Sequence, residues 1–346
     1  MDSIKGMETR DKIKSTCREI RREILDISRY LHNNNTANTF HQLMEYISGK
    51  VEISCNGQLC RFDDGRQAIK PLTVFYITNR PEVALIAEKY GVDRVWIDLE
   101  TLGKEERQRG MNTVKNHHTV ADITMIKPLL TKAEMMVRVN PWYEGSKEEI
   151  ENVIAANADI IMLPYWKTVD EVRRFVETVN GRCKTTLLLE TSEAIECIDE
   201  VIEIGGFNEI HIGLNDLHLS FGMTFMFELL VDGTVEMLCK KFKSAGIPYG
   251  FGGIAKLGDG LLPAEKIIME HYRLGSTRAI LSRTFCDNVK IENIEEIDEI
   301  FKKNMEVLRE YELSMADVTQ EEYEQNKVEV ARAVNEIVAT IKSNKV

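Results

Sequence analysis

The sequence predicts an α/β fold, a TIM (β/α)8 barrel with an N-terminal helical and hairpin extension and C-terminal helices. Eight short apolar runs alternate with helical patterns between residues 72 and 285. Near-continuous apolar strands separated by helices are typical of a parallel sheet that is covered on its outer face. Eight such units favour a closed barrel. The alternative is an open doubly wound sheet, but no GxGxxG follows the first strand to support it.

Residues 1–70 form the predicted N-terminal extension. Apolar residues from Ile13 to Leu31 recur at steps of three and four, which predicts an amphipathic helix over 7–33. A second short helix is predicted over 39–48. Two strand-like runs flank Asn56 and Gly57, a pair that is typical of a hairpin turn. We expect the long helix to pack on the main domain or on a neighbouring subunit.

The barrel is predicted to span 71–290, and the C-terminal helices 291–346. The predicted strands are 72–77, 94–100, 134–140, 158–164, 186–189, 210–212, 247–253 and 278–285. Capping boxes, in which a Ser or Thr precedes an acidic residue by three positions, mark four helix starts. They are Thr119 with Asp122, Ser146 with Glu149, Thr168 with Glu171, and Thr319 with Glu322.

The composition narrows the class of partner. The formal net charge of −12 argues against nucleic acid or an anionic membrane as the main partner. The seven cysteines are scattered and form no CxxC pair, which favours a reducing cytoplasm over a disulfide framework. No signal peptide or membrane span is evident. We therefore expect a cytoplasmic enzyme with a small-molecule partner, and the terminal helices favour a homo-oligomer.

Polar residues end several of the predicted strands. In a (β/α)8 barrel the strands end at the face that carries the active site. Glu190 and Asp216 end neighbouring strands and are expected to face one cleft, where two lone carboxylates repel each other. A divalent cation bound by oxygen ligands removes that cost. The alternative for these two residues is a pair of surface carboxylates that cap helices at strand ends. The residues at these strand ends are Asp98, Glu100, Arg138, Asn140, Glu190, Asp216, Gly252 and Gly253.

Several motifs are similar to those of a known family. VWIDLE, MVRVN, ADIIMLPYWKTVDEVRRF, LLLETSEA and GLNDLHLSFG together resemble the HpcH/HpaI aldolase and citrate lyase beta-subunit family, within the pyruvate and phosphoenolpyruvate barrel superfamily. The resemblance covers roughly 72–285. It implies reversible carbon–carbon cleavage of a 2-keto acid or related carboxylate through a metal-stabilised enolate.

The resemblance also implies residue roles. Glu190 and Asp216 would bind Mg²⁺ or Mn²⁺. Arg138 would contact the oxygen that becomes the enolate, and Glu100 would order a water molecule or Arg138. The backbone from Gly213 to Asp216, with Leu214 and Asn215, would hold the substrate carboxylate.

Two departures from the family leave the proton-transfer residue open. Family aldolases carry histidine where this chain has Thr101, and the segment before Glu190 is too short for their glycine- and arginine-containing loop. His117 and His118 are alternative acids or bases, or a solvated pair near a helix start. The alternative functions are an acyl-CoA lyase-like enzyme on the same scaffold and a non-catalytic barrel used for binding or assembly.

Three further features have less specific interpretations. His211 lies in an apolar strand and is expected to be a core histidine with satisfied hydrogen bonds. Tyr165 and Trp166 either line a substrate pocket or pack against helices. The glycines from Gly250 to Gly260 are expected to allow close backbone turns, with phosphate binding as the alternative.

Overall fold

A computed structural model describes residues 69–103 and 118–344, and the backbone of the strands at 52–55 and 58–61. The chain divides into two units, Met1–Lys70 and Pro71–Val346. In the first unit β1 (Glu52–Cys55) pairs antiparallel with β2 (Gln58–Arg61), so the predicted hairpin is confirmed. The predicted helices over 7–33 and 39–48, and His117, lie outside the described residues.

The second unit contains a closed barrel of eight parallel strands, which confirms the predicted fold. Each strand pairs with the next along the chain, and the last pairs with the first. The strands are β3 (Thr73–Ile77), β4 (Arg94–Asp98), β5 (Glu134–Arg138), β6 (Ile160–Leu163), β7 (Lys184–Leu189), β8 (Glu209–Ile212), β9 (Tyr249–Ile254) and β10 (Arg278–Leu281).

Helices surround the barrel and follow its strands. They are α1 (Pro81–Lys89), α2 (Val120–Ile126), α3 (Ser146–Ala155), α4 (Val169–Val179), α5 (Ser192–Glu196), α6 (Ile198–Ile204), α7 (Leu214–Ser220), α8 (Glu228–Val231), α9 (Thr234–Ser244), α10 (Ala264–Leu274), α11 (Ile294–Ser314) and α12 (Gln320–Ser343). The C-terminal helices pack on the barrel's own helices, α11 against α1 and α12 against α8 and α10. Within the described ranges, no helix is both long and apolar enough to cross a bilayer.

Three of the four predicted capping boxes form, at Thr119, Thr168 and Thr319. The prediction at Ser146 is wrong, because Gly145 is the N-cap of α3 and Ser146 is its first helical residue. Ser146 Oγ instead accepts from Tyr143 N at 2.8 Å, and Glu149 Oε1 accepts from Asn140 N at 3.2 Å. Both polar side chains thus bind the loop after β5.

The barrel lumen is filled by large apolar side chains in its middle layer. Phe75, Trp96, Met136, Ile160, Met162 and Leu188 form this cluster. A larger apolar core lies between the strands and the helices. The lumen is therefore a packed interior, as in other barrels of this type, and only its two ends carry charged groups.

The N-terminal end of the barrel, which we call the floor, is closed by Arg94, Glu134, Thr186, Glu209 and Arg278. Arg94 Nη2 lies 3.0 Å and Arg278 Nε 2.7 Å from Glu209 Oε2. Thr186 Oγ1 donates to Glu209 Oε1 at 2.8 Å, and Arg94 Nε donates to Glu134 at 3.1 Å. Burial by itself raises the pKa of Glu209, but the two arginines lower it below its ordinary value. The floor is therefore a fully paired ionic layer.

Candidate active site at the carboxyl ends of the strands

Arg138, the last residue of β5, lies at the centre of the opposite end of the barrel. Its Nε and Nη2 each donate to one oxygen of Asp98, both at 2.8 Å. The register that pairs Asp98 with Arg138 on β4 and β5 produces this forked ion pair. The guanidinium also lies 5.0 Å from the centre of the Trp96 ring, so an aromatic face supports it from within the lumen.

Two further carboxylates surround Arg138. Its Nη1 lies 3.3 Å from Glu100 Oε2, and only 11% of its side chain is exposed. Burial by itself lowers the pKa of Arg138, but the charges of Asp98, Glu100 and Glu190 raise it well above the ordinary value. Arg138 is therefore permanently charged, and Glu190 faces it across the same end of the barrel.

The loop after β6 positions Glu190, which is 3% exposed. Tyr165 N donates to Glu190 Oε1 at 3.0 Å. Tyr165 has a φ of 50°, a left-handed conformation that is costly for a side chain of this size. Strain of this kind persists where surrounding contacts over-determine it. Here the bond from its N–H to a buried carboxylate is such a contact.

Glu190 also packs against the turn between β8 and α7. A Cβ at Gly213 would meet Glu190 Oε2 at 2.7 Å, so a larger residue there would displace this carboxylate. Asp216 follows on the first turn of α7 and is 7% exposed. Leu214 is buried and Asn215 is exposed. The structure therefore brings Gly213 to Glu190, and Asp216 follows one helical turn later.

These residues fit one kind of metal site. Within residues 69–103 and 118–344, no three His, Cys, Asp or Glu side chains are grouped so that they could hold one ion. Mg²⁺ is often held by one or two carboxylates, with water and substrate completing its shell. Glu190 and Asp216 fit that donor set, and a closed cage such as a structural zinc site does not.

Asn140 fixes the loop in which the family histidine is replaced. Its Oδ1 accepts from Thr101 N at 2.8 Å and from Leu102 N at 2.9 Å, and its Nδ2 donates to Glu149 at 2.8 Å. Thr101 Oγ1 also donates to Asn140 Oδ1, at 3.3 Å. Thr101 therefore takes part in holding the β4 loop against the start of α3.

His118 lies just before α2 and is partly buried. Its Nδ1 accepts a hydrogen bond from the backbone N–H of Asp98 at 3.0 Å. His118 therefore contacts the end of β4. One of the alternatives drawn from the sequence had instead placed it in a solvated pair with His117. A cavity of about 390 Å³ adjoins the ring and is lined by Leu99, His118, Thr119, Tyr143, Glu148 and Glu149.

His211 is a core residue, as the sequence predicted. It is fully buried, and its Nε2 lies 3.0 Å from Gly252 O. Its Nδ1 has no hydrogen-bond partner among the described residues, so its hydrogen bonds are only half satisfied. Burial lowers the pKa of His211 to about 4, so it stays neutral and apolar in behaviour.

Sequence reasoning did not identify the parts played by Asp98 and Tyr165. Asp98 was noted only as a polar strand end, although its position opposite Arg138 is the available signal once β4 and β5 are placed in register. No sequence signal identifies the left-handed backbone of Tyr165, because Tyr rarely adopts it.

The fold and this end of the barrel define a class of protein, a (β/α)8 barrel with a buried arginine among carboxylates at its strand ends. Residues 72–230, from β3 into α8, match the family model described as HpcH/HpaI aldolase/citrate lyase. This segment of the barrel belongs to that family, as the motifs predicted. A metal-dependent lyase activity is consistent with the family.

Solved structures of similar proteins were also found. An HpcH/HpaI aldolase/citrate lyase family protein from Burkholderia cenocepacia J2315 has a TM-score of 0.49 at 14% identity, over 71% of this chain and 96% of that one. For an HpcH/HpaI aldolase from Desulfitobacterium hafniense DCB-2 the TM-score is 0.48 at 14% identity, over 69% and 93%. The citrate synthase SbnG gives 0.46 at 15% identity, over 69% and 94%. No curated protein matches the chain.

Proposed function

We propose that the protein is a divalent-metal-dependent carbon–carbon lyase or aldolase that acts on a 2-keto acid or a related carboxylate. The observation that carries the proposal is the grouping of buried carboxylates with Arg138 at the carboxyl ends of the strands. Asp98, Glu100, Glu190 and Asp216 are each at most 7% exposed, and Arg138 faces the first three of them. Carboxylate oxygens are the ligands that a divalent cation such as Mg²⁺ prefers.

Arg138 is the proposed contact for the developing negative charge on the substrate. A guanidinium has more N–H donors than the bonds to Asp98 and Glu100 use, so donors on Nη1 and Nη2 remain for a ligand oxygen. Because Asp98 holds the fork rigid, these donors are oriented before substrate binds. Preorganised donors of this kind often provide the largest single contribution to catalysis.

The remaining roles are those that the family resemblance implies. Glu190 and Asp216 would hold Mg²⁺ or Mn²⁺, which when bound supplies Lewis-acid stabilisation of negative oxygen. The backbone of Gly213, Leu214 and Asn215 would bind the substrate carboxylate. Glu100, beside Arg138 Nη1, would orient the guanidinium or a water molecule.

The test is release of pyruvate. The full-length protein is incubated with Mn²⁺ or Mg²⁺ and with oxaloacetate or a panel of 2-keto-3-hydroxy acids, and pyruvate is measured. We expect turnover that EDTA removes and that Glu190→Gln and Asp216→Asn abolish. Glu193→Gln, an exposed carboxylate three residues from Glu190, is the matched control and should retain full activity.

The other outcomes distinguish the alternatives. Turnover of a CoA thioester without pyruvate release from any keto acid would favour an acyl-CoA lyase-like enzyme. Calorimetric binding of a dicarboxylate without turnover would favour a non-catalytic barrel. If Mn²⁺ binding survives both Glu190→Gln and Asp216→Asn, the proposed metal site is wrong.

A further inference from the structure

The hydrogen bond between His118 and β4 lies where the backbone hydrogen bonding between β3 and β4 ends. Thr78 N donates to Trp96 O at 3.3 Å, where β3 ends. Two residues further along β4, the Asp98 N–H donates instead to His118 Nδ1 at 3.0 Å. A buried backbone N–H needs an acceptor, and for the Asp98 N–H the imidazole of His118 provides it.

The carboxylate of the same residue holds Arg138. The carboxylate of Asp98 accepts hydrogen bonds from Nε and Nη2 of Arg138, each at 2.8 Å. Its Oδ1 also accepts from Glu100 N at 3.3 Å. The position of the Asp98 backbone thus decides where the fork sits. A side chain that fixes this backbone therefore also fixes the guanidinium.

We propose that His118 is a positioning residue for Arg138, acting through the Asp98 N–H, and that its Nδ1 must be unprotonated for the site to be aligned. The inference rests on the proposed function. The neutral ring accepts at Nδ1 and carries its proton on Nε2. A second proton, on Nδ1, would place two N–H groups opposite each other and break the bond.

Among the described residues, several ionisable groups lie near the imidazole. Tyr143, in the loop before α3, and Glu148 and Glu149 on α3 line the same cavity as His118. Asp98 on β4 and Asp122 on α2, which accepts from the adjacent Thr119 N, are further neighbours. Glu149 is bonded to Asn140, and its pKa is raised by burial despite those bonds. The Asp98 N–H donates to Nδ1, so this contact requires an unprotonated Nδ1.

Three substitutions of His118 distinguish the contribution of the Nδ1 acceptor from that of the rest of the side chain. In His118→Asn the Oδ1 atom can take the place of Nδ1 and cannot be protonated in this range. His118→Gln places its oxygen near the position of Nε2, and His118→Leu removes the acceptor. We expect His118→Asn to retain kcat/KM within about threefold, and the other two to lose about tenfold, since one hydrogen bond is lost.

The pH profile provides a readout that a purely structural role does not move. Wild-type activity should fall on the acid side relative to His118→Asn as Nδ1 takes up its proton. Equal impairment of His118→Asn and His118→Leu, or superimposable acid limbs for wild type and His118→Asn, would overturn the proposal. Melting temperatures of all three variants show whether any loss reflects unfolding.

Two measurements need no substrate, so they separate this inference from the proposed function. A two-bond ¹H–¹⁵N spectrum of the histidines should show His118 as the Nε2–H tautomer. Deuterium exchange of the peptide that contains Asp98 should accelerate about tenfold in His118→Leu and stay unchanged in His118→Asn. Unchanged exchange in His118→Leu overturns the inference even if lyase activity is found. Accelerated exchange without turnover in wild type contradicts only the proposed function.

Discussion

Both ends of the barrel carry a buried cluster of arginine and carboxylate, and we assign the two clusters different roles. At the floor, Arg94 and Arg278 share Glu209, and each charge has a partner of opposite sign. At the other end, which we call the mouth, Arg138 lies among Asp98, Glu100, Glu190 and Asp216. The floor charges depend on one another, because removal of one partner leaves buried charge without compensation. The mouth charges lie where we propose that a cation and a substrate bind.

The largest expected effect is on stability at the floor. Glu209→Gln leaves two buried arginines without their shared anion, so we expect the free energy of unfolding to fall by about 3–5 kcal/mol. Urea denaturation measures this change. Glu134→Gln removes a floor carboxylate that is 30% exposed and should cost less than about 1 kcal/mol. Similar losses for both variants would contradict the view of the floor as a buried, interdependent layer.

At the mouth, substitution of the arginine should affect turnover. Arg138→Lys keeps the charge, but an ammonium cannot bind Asp98 through two donors and still present fixed donors to a ligand. We expect kcat to fall by about 10²–10³-fold, the usual effect of losing a preorganised donor. Arg94→Lys, the same substitution at the floor, should lower the melting temperature and leave kcat nearly unchanged. A kcat for Arg138→Lys close to wild type would remove the proposed role.

Between the two ends, buried histidines should make stability depend on pH. Burial lowers the pKa of His211 to about 4 and that of His271 to about 3, from an ordinary value of 6.5. Below pH 6.5 the unfolded chain therefore binds more protons than the folded one, and the free energy of unfolding decreases as the pH is lowered. Each histidine should contribute about 2 kcal/mol of loss between pH 7.5 and pH 5.

The variant His271→Gln tests this contribution separately. His271 stacks on Phe251 at 3.9 Å between ring centres, and its Nδ1 lies 2.7 Å from Ser276 Oγ. The loss of stability between the two pH values should be smaller in the variant by about 2 kcal/mol, whatever its stability at neutral pH. Denaturation curves at both pH values measure the difference. Parallel pH dependence in wild type and variant would show that the pKa of His271 is the same in the folded and unfolded states.

The smallest expected effect is on the stability of the metal-free mouth. The Gln side chain of Glu190→Gln can still accept from Tyr165 N, so we expect the free energy of unfolding to change by about 1 kcal/mol or less. Mn²⁺ at a hundred times its Kd should stabilise wild type by about 2.7 kcal/mol and leave this variant unshifted. Differential scanning calorimetry with and without Mn²⁺ measures both. A shift with Mn²⁺ in the variant equal to that of wild type would contradict the proposed metal site.

The barrel was predictable because its strands are buried on both faces and are written as continuous apolar runs. Predicted and observed strand ends differ by only a few residues. For example, β4 ends at Asp98 rather than at Glu100, and β5 at Arg138 rather than at Asn140. After Glu190 the chain forms two short helices, α5 and α6, which are separated at Cys197 although apolar residues recur at helical spacing across both. Helix breaks of this kind depend on tertiary packing, which overrides local periodicity.

The floor was not predictable in the same way. Arg94, Glu209 and Arg278 are separated by up to 184 residues. In the sequence each one is simply a charged residue at the start of an apolar strand. Only the closure of the barrel brings the first residues of β4, β8 and β10 together. The Ser146 cap failed for a related reason, because Glu149 binds Asn140 across the loop and not the start of its own helix.

By itself the sequence determined the strand order, the helices and the set of acidic and basic residues at the strand ends, because alternation and burial are local patterns. The tertiary structure alone decided which charges meet. It placed Asp98 under the fork of Arg138, Tyr165 N on Glu190, and His118 on the Asp98 N–H. Pairing energies depend on distances of a few ångströms between residues far apart in the chain, and closure of the barrel sets those distances.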